Sequence, residues 1–198
     1  MKPGSKESES AKAIDFFYEA GGLKNLPRSG WRLAGIRDAE STADHSYRAA
    51  VIAYVIARME GADAEHACAL AVFHDVSEAR IGELDKVMSF YLDKSIAEKK
   101  AVAQSEASSL SDGRWYPQMF AEFDQNRTPE AKAANDADIL ECALTGIEYS
   151  QSGFPKALDW AKSKGKLFST KSGRALYKEA LVSDSSRWWK KIWRLRGL

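Results

Sequence analysis

Apolar residues along this chain recur three and four positions apart, and no stretch alternates residue by residue, so the pattern predicts helices throughout and no sheet. A serine cap and the apolar positions Ile14, Phe17 and Tyr18 set a first helix at about 8–20, stopped by Gly21-Gly22. A loop follows over 27–40, where Pro27, Gly30 and Gly35 break any period and Arg28, Trp31, Arg32 and Arg37 accumulate. Ser41 or Thr42 caps a helix that runs to Gly61, and Asp63 caps another that is expected to run unbroken to Gly82. Further helices are predicted within 90–110 and 114–126. The clearest start signal is Thr128-Pro129-Glu130, which opens a helix with Ala133, Ala137, Leu140, Leu144 and Ile147 as its core stripe. One or two more helices close the chain. The expectation is an all-α single domain, a helical bundle over about 8–152 with a helical extension at 153–198.

Composition narrows this further. With 198 residues and 44% apolar content, the chain can bury a sizeable core without disulfides or a structural metal. Cys68 and Cys142 lie far apart inside apolar segments, as reduced core residues do. The polar start "MKPGSKESES" resembles neither a signal nor a transit sequence, and no apolar run approaches the roughly 18 residues of a membrane helix. A cytoplasmic protein without a membrane partner is expected.

The net charge of +1 hides an asymmetry: from Lys156 onward twelve Lys or Arg face three Asp or Glu, a local +9, which leaves about −8 on the first 155 residues. The tail "SSRWWKKIWRLRGL" interleaves these bases with Trp188, Trp189 and Trp193, a mixture that suits nucleic acid or a membrane surface. Trp189, Ile192 and Trp193 also form an ordinary helical stripe, so packing onto the domain or a second copy is the preferred reading, and nucleic acid is not expected as a partner.

The candidate chemistry begins with the histidines. There are three, His45, His66 and His74, and a lone histidine is usually structural. His45 lies near a helix start, His74 stands beside Asp75 near a helix end, and Asp138 lies among small residues in the long helix after Thr128. A buried carboxylate there is costly by several kcal/mol unless a cation accompanies it. Two imidazoles and two carboxylates make a mixed nitrogen and oxygen shell for one divalent ion, Mn, Co, Fe, Ni, Zn or, less well, Mg, with positions open to water and substrate. His66 falls roughly 80° around the helix from that face and reads as structural.

The order His45, His74-Asp75, Asp138, in "ESTADHSYRAA", "FHDVSEARIGELDKV" and "TPEAKAANDADILECAL", resembles the HD-domain metal-dependent phosphohydrolases, most closely their small 5'-deoxynucleotidase-like branch. The resemblance covers about residues 14–149. It implies a helical bundle with the active site between helices, His45, His74, Asp75 and Asp138 as metal ligands, and hydrolysis of nucleoside 5'-monophosphates, commonly by a homodimer. It picks Asp138 over Asp136, which is left as an outer-shell or solvent-facing residue. Glu78 matches the family's acid/base group; on an unbroken helix it shares a face with His74, while pairing with Arg80 or a lysine is the plainer alternative.

A substrate lip is also implied: Trp31 against sugar or base, Arg28 or Arg32 on the phosphate, and Glu83 to Lys86 near the sugar. Gly30 and Glu83 depart from the branch, which carries arginine and aspartate at those places, so ribose and deoxyribose are not told apart. The rival readings are another HD chemistry, pyrophosphohydrolase or phosphodiesterase, and a non-catalytic nucleotide-binding regulator.

Overall fold

A computed structural model describes residues 7–196, so residues 1–6 of the polar start and residues 197–198 lie outside the described residues. Within that range the chain is helical, and its one β-contact is an isolated bridge between Pro27 and Ser41. Ser8 caps α1 (Glu9–Gly21) by accepting from Ala11 N. The face of α1 that turns inward is not the expected one: Phe16 is buried, whereas Ile14, Phe17 and Tyr18 are exposed. The wheel alone admits either face, and the choice is made by Phe73 and Trp115, whose rings lie 6.4 and 6.1 Å from that of Phe16.

A short 3-10 turn, Gly22–Asn25, follows α1, and the arginine-rich loop winds into a second, Ser29–Ala34, closed by Gly35 at φ 89°. Next, α2 (Thr42–Glu60) starts with a reciprocal cap between Ser41 and Asp44 and buries Ala49, Ala53, Ile56 and Ala57. Asp63 caps α3 (Ala64–Phe73), which stops well short of Gly82. Residues 74–77 are turns, and a single helical turn, α4 (Glu78–Ile81), resumes after them. The backbone tightens there to three-residue bonds, Glu78 N to Asp75 O at 2.9 Å and Ala79 N to Val76 O at 3.2 Å. Glu78 therefore does not share an unbroken helix face with His74, contrary to the expectation.

The 90–110 region also divides: α5 (Met88–Tyr91), then α6 (Lys94–Gln104) starting at an Asp93 cap, then the turn Glu106–Ser109. It is followed by α7 (Trp115–Gln125) and by α8 (Pro129–Gln151), the axis of the fold. Thr128 caps α8 by accepting from Ala131 N at 3.1 Å. Small residues, Ala131, Ala133, Ala134, Ala137, Ala143 and Gly146, are buried on α8 and let neighbouring helices approach from several sides. This explains why α8 shows no narrow stripe and why Leu144 is only half-buried.

The segment beyond 152 joins the same core through α9 (Ala157–Ser163) and α10 (Lys171–Ala180), which contribute Ala161, Tyr177 and Ala180. Asp136 is neither outer-shell nor solvent-facing. It is fully buried and accepts from Ser169 N at 2.7 Å and from Thr170 N and Oγ1 at 2.8 and 2.6 Å, pinning the start of α10 to α8. Gly173 permits that approach, since a Cβ there would lie 2.3 Å from Asp136 Oδ2.

The last helix, α11 (Arg187–Leu195), buries no residue. Trp189 meets Trp193 edge-on at 4.6 Å, and Ile192 and Trp193 stay about half exposed, so of the two expected arrangements, on the domain or on a second copy, the tail stripe does not adopt the first. The turn before it, held by Asp184 to Ser186 N and Lys190 Nζ at 2.9 Å each, carries α11 off the bundle.

Candidate metal centre

Three helices deliver the candidate ligands to one point: His45 from the second turn of α2, His74 and Asp75 from the end of α3, Asp138 from the middle of α8. His45 Nε2 lies 3.1 Å from Asp138 Oδ1 and 3.9 Å from Asp75 Oδ2, and His74 Nε2 lies 3.1 Å from Asp75 Oδ2. Ligand atoms of His45, His74 and Asp138 fall within 4.8 Å of one another, a spacing that one ion bound at about 2.0–2.2 Å can bridge. Both Nε2 atoms are buried and have no hydrogen-bond partner, although carboxylates stand beside them. That is how imidazoles lie when a cation, not a proton, belongs between them and the carboxylates.

The opposite ring nitrogens fix this orientation. His74 Nδ1 donates to Ala71 O at 2.7 Å, and His45 Nδ1 donates to Glu141 Oε2. Donation from Nδ1 leaves the Nε2 lone pair aimed inward. Glu141 is itself held by Arg48, whose Nη2 lies 2.8 Å from Oε1 and whose Nη1 reaches Glu148 at 2.8 Å. Glu141 and Arg48 were missed by sequence reasoning. The signal was present: Glu141 follows Asp138 by one helical turn, and a buried carboxylate there raises the same question that singled out Asp138.

The electrostatics call for positive charge at this point. Burial would raise Asp75 and Asp138, yet the histidines and Arg28 hold both well below the usual carboxylate range. Burial and Arg28 would lower His45, but Asp138 and Glu141 outweigh them and lift it to about 10. A divalent ion supplies the same charge with both imidazoles neutral. Asp138 keeps 34% of its side chain exposed, so the cluster opens on one side into a pocket.

Around that opening the expected residues divide. Glu78 is buried and lines the pocket, with Oε1 2.8 Å from Lys94 Nζ, while Arg80 is committed to Glu19 at 2.6 Å. Arg28 also lines it, bridging Asp75 at 3.2 Å and Glu83 at 2.8 Å through Nη1. Arg32 is not brought in: its guanidinium grips Asp85 at 2.7 Å instead. Asp85 accepts from Val87 N and Met88 N at 2.9 Å as well, so this pair shapes the turn that presents Lys86.

Trp31 lines the pocket with the small part of its ring that is exposed, 4% of the residue; Nε1 donates to Glu40 at 3.1 Å and the ring abuts Tyr149 and Trp160. Glu83 receives Ser29 N, and Lys86 Nζ stands 5.9 Å from the Trp160 ring centroid. His66 lies elsewhere, paired with Glu122 at 2.8 Å.

The profile of the HD domain family matches residues 20–171, which includes every one of these candidate ligands. The chain belongs to the HD domain family. This HD-domain chain is 30% identical over 143 residues to a protein of Danio rerio named 5'-deoxynucleotidase HDDC2, covering 70% of each chain. It is 27% identical over 150 residues to the Xenopus laevis protein of the same name, covering 75% of this chain and 74% of that one. Among solved structures, a conserved hypothetical protein from Pyrococcus furiosus superposes with a TM-score of 0.72 at 31% identity, covering 84% of this HD-domain chain and 98% of the other.

Proposed function

We propose that this protein is a metal-dependent phosphomonoesterase that hydrolyses ribo- or deoxyribonucleoside 5'-monophosphates to nucleoside and inorganic phosphate. The observation that carries the reading is the pair of buried, partnerless His45 and His74 Nε2 atoms beside Asp75 and Asp138, at the inner end of a pocket lined by Arg28 and lysines. The 5'-deoxynucleotidase name of the curated relatives supports the substrate class. His45, His74, Asp75 and Asp138 would hold one divalent cation, Mn, Co, Fe, Ni, Zn or Mg. Bound there, it supplies a polarised phosphate oxygen and an acidified water.

The chain's own residues do the rest. Arg28, anchored by Glu83, balances the phosphate charge, and Glu83 with Lys86 lies along the sugar side. Water oxygen bonds to phosphorus as the bond from phosphorus to the 5'-oxygen breaks; Glu78 gives its proton to the departing oxygen and regains the one that the water releases. Burial, then Asp75, push Glu78 up to about 8, against Lys94 and Arg28. An acid must be protonated to act, so its contribution is present below that value and is lost as pH rises through it. A cation beside Asp75 offsets the charge that raises Glu78, which places the falling limb at or below about pH 8.

The test is orthophosphate release from a panel of ribo- and deoxyribonucleoside 5'-monophosphates with added metal, across pH. The reading expects release with that alkaline fall in the wild type, and in Glu78→Gln about 100-fold slower release without the fall. No metal-stimulated release from any monophosphate would sink it. The proposal extends to a cytoplasmic homodimer. Tyr47, Val51, Tyr54 and Val55, at helical spacing on α2, are exposed apolar residues, and no helix among the described residues is long and apolar enough to cross a membrane. Sedimentation at the mass of one chain would remove the dimer.

A further inference from the structure

The pocket has a wall that no HD motif supplies. α9 is held against α8 at Gly146, where a Cβ would stand 2.8 Å from Ala157 O and 3.4 Å from Ala161 N. Only glycine allows so close an approach, and the approach brings Trp160 and Lys164 into the lining of the pocket with Asp138 and Arg28. Trp160 is half-buried; its ring meets Trp31 edge-on at 6.1 Å, and Gly30 presents no side chain to it, an added Cβ lying 3.8 Å from Cη2.

Lys164 is the unexplained member. Only 8% of it is exposed, which is unusual for a lysine, and among the described residues no carboxylate lies within ion-pair distance of its ammonium. Two other cations of the pocket are already paired, Arg28 with Asp75 and Glu83 and Lys94 with Glu78 and Glu98, while Lys86, also without a carboxylate, is exposed at the rim. The Lys164 ammonium reaches the pocket with no carboxylate beside it, so an anion that enters can pair with it without displacing another partner.

We propose that Lys164 is a substrate-binding residue, whose ammonium pairs with the phosphate of the nucleotide, with Trp160 beside it as the aromatic surface for the nucleoside. Lys164 and Trp160 are four residues apart on one face at the end of α9, so a single nucleotide can touch both. Lys86 Nζ, 5.9 Å from the Trp160 centroid, closes the rim. Binding of this kind acts on the ground state and the transition state alike, so its loss raises KM and leaves kcat nearly unchanged. The inference rests on the pocket being the nucleotide site.

The test compares full-length wild type, Lys164→Gln and Lys164→Arg. Deoxyadenosine 5'-monophosphate and deoxyadenosine are titrated calorimetrically into chelator-treated protein, and KM and kcat are measured with metal. In Lys164→Gln, about ten-fold weaker nucleotide binding is expected, with a matching rise in KM, unchanged deoxyadenosine binding and substantial recovery in Lys164→Arg. Wild-type nucleotide affinity in Lys164→Gln overturns this inference alone. Equal loss of nucleotide and nucleoside binding shows a structural role and overturns it too. A wild type that binds no nucleotide and releases no phosphate overturns both this inference and the activity on which it rests.

Discussion

Asp138→Ala is expected to abolish metal-dependent phosphate release, by about 1000-fold or more, while the chain still folds with only a modest loss of stability. Its carboxylate lies 3.1 Å from the partnerless His45 Nε2 and opens into the pocket, so its removal takes a ligand from the cation's accessible side. Asp138 makes no hydrogen bond to backbone, so the cost in stability is confined to its lost attraction to His45, His74 and Arg28. Thermal melting with chelator and orthophosphate release with metal, on the same preparation, check both halves. Retained release or a collapse in melting temperature would count against this assignment.

Asp136→Ala, two residues away, should do the reverse. Asp136 takes three donors from the start of α10, and its loss leaves the buried Thr170 N and Oγ1 without their acceptor. A loss of about 3 kcal/mol follows from the usual penalty for stranded buried donors, equivalent to a fall of roughly 6–12 °C in Tm for a chain of this size. Below that melting point the metal cluster is untouched, so release per folded molecule should stay within about two-fold of wild type. A variant that melts like the wild type, or that loses metal affinity while folded, would refute the separation of the two aspartates.

This pair shows what the sequence could and could not convey. Helical periodicity and the Thr128-Pro129 start are local signals; His45, His74, Asp75 and Asp138 stood out together through the family resemblance of their motifs, and the structure gathers those four residues at one point between helices. Asp136 looked peripheral because its partners, Ser169 and Thr170, are more than thirty residues away, and no periodicity reports a helix start docking on a distant carboxylate. The single helix expected to reach Gly82 stops at Phe73 because tight three-residue bonds take over at Asp75. The burial of Phe16 in place of Phe17 and Tyr18 likewise depends on rings from α3 and α7.

Arg32 and Arg28 could not be ranked from sequence, since Asp85 and Glu83, which claim them respectively, lie more than fifty residues on. Trp160 and Lys164 carried no motif. They reach the pocket only through the contact at Gly146, which becomes visible once α8 and α9 are packed.

On this reading His45, His74, Asp75 and Asp138 hold one divalent ion on which nucleotide hydrolysis depends. Titrating manganese into chelator-treated protein while following orthophosphate release from deoxyadenosine 5'-monophosphate tests it most directly. Release should rise linearly to one equivalent of metal and then level off, with Asp75→Asn flat throughout. Release that persists in excess chelator, or that Asp75→Asn matches, would contradict the account.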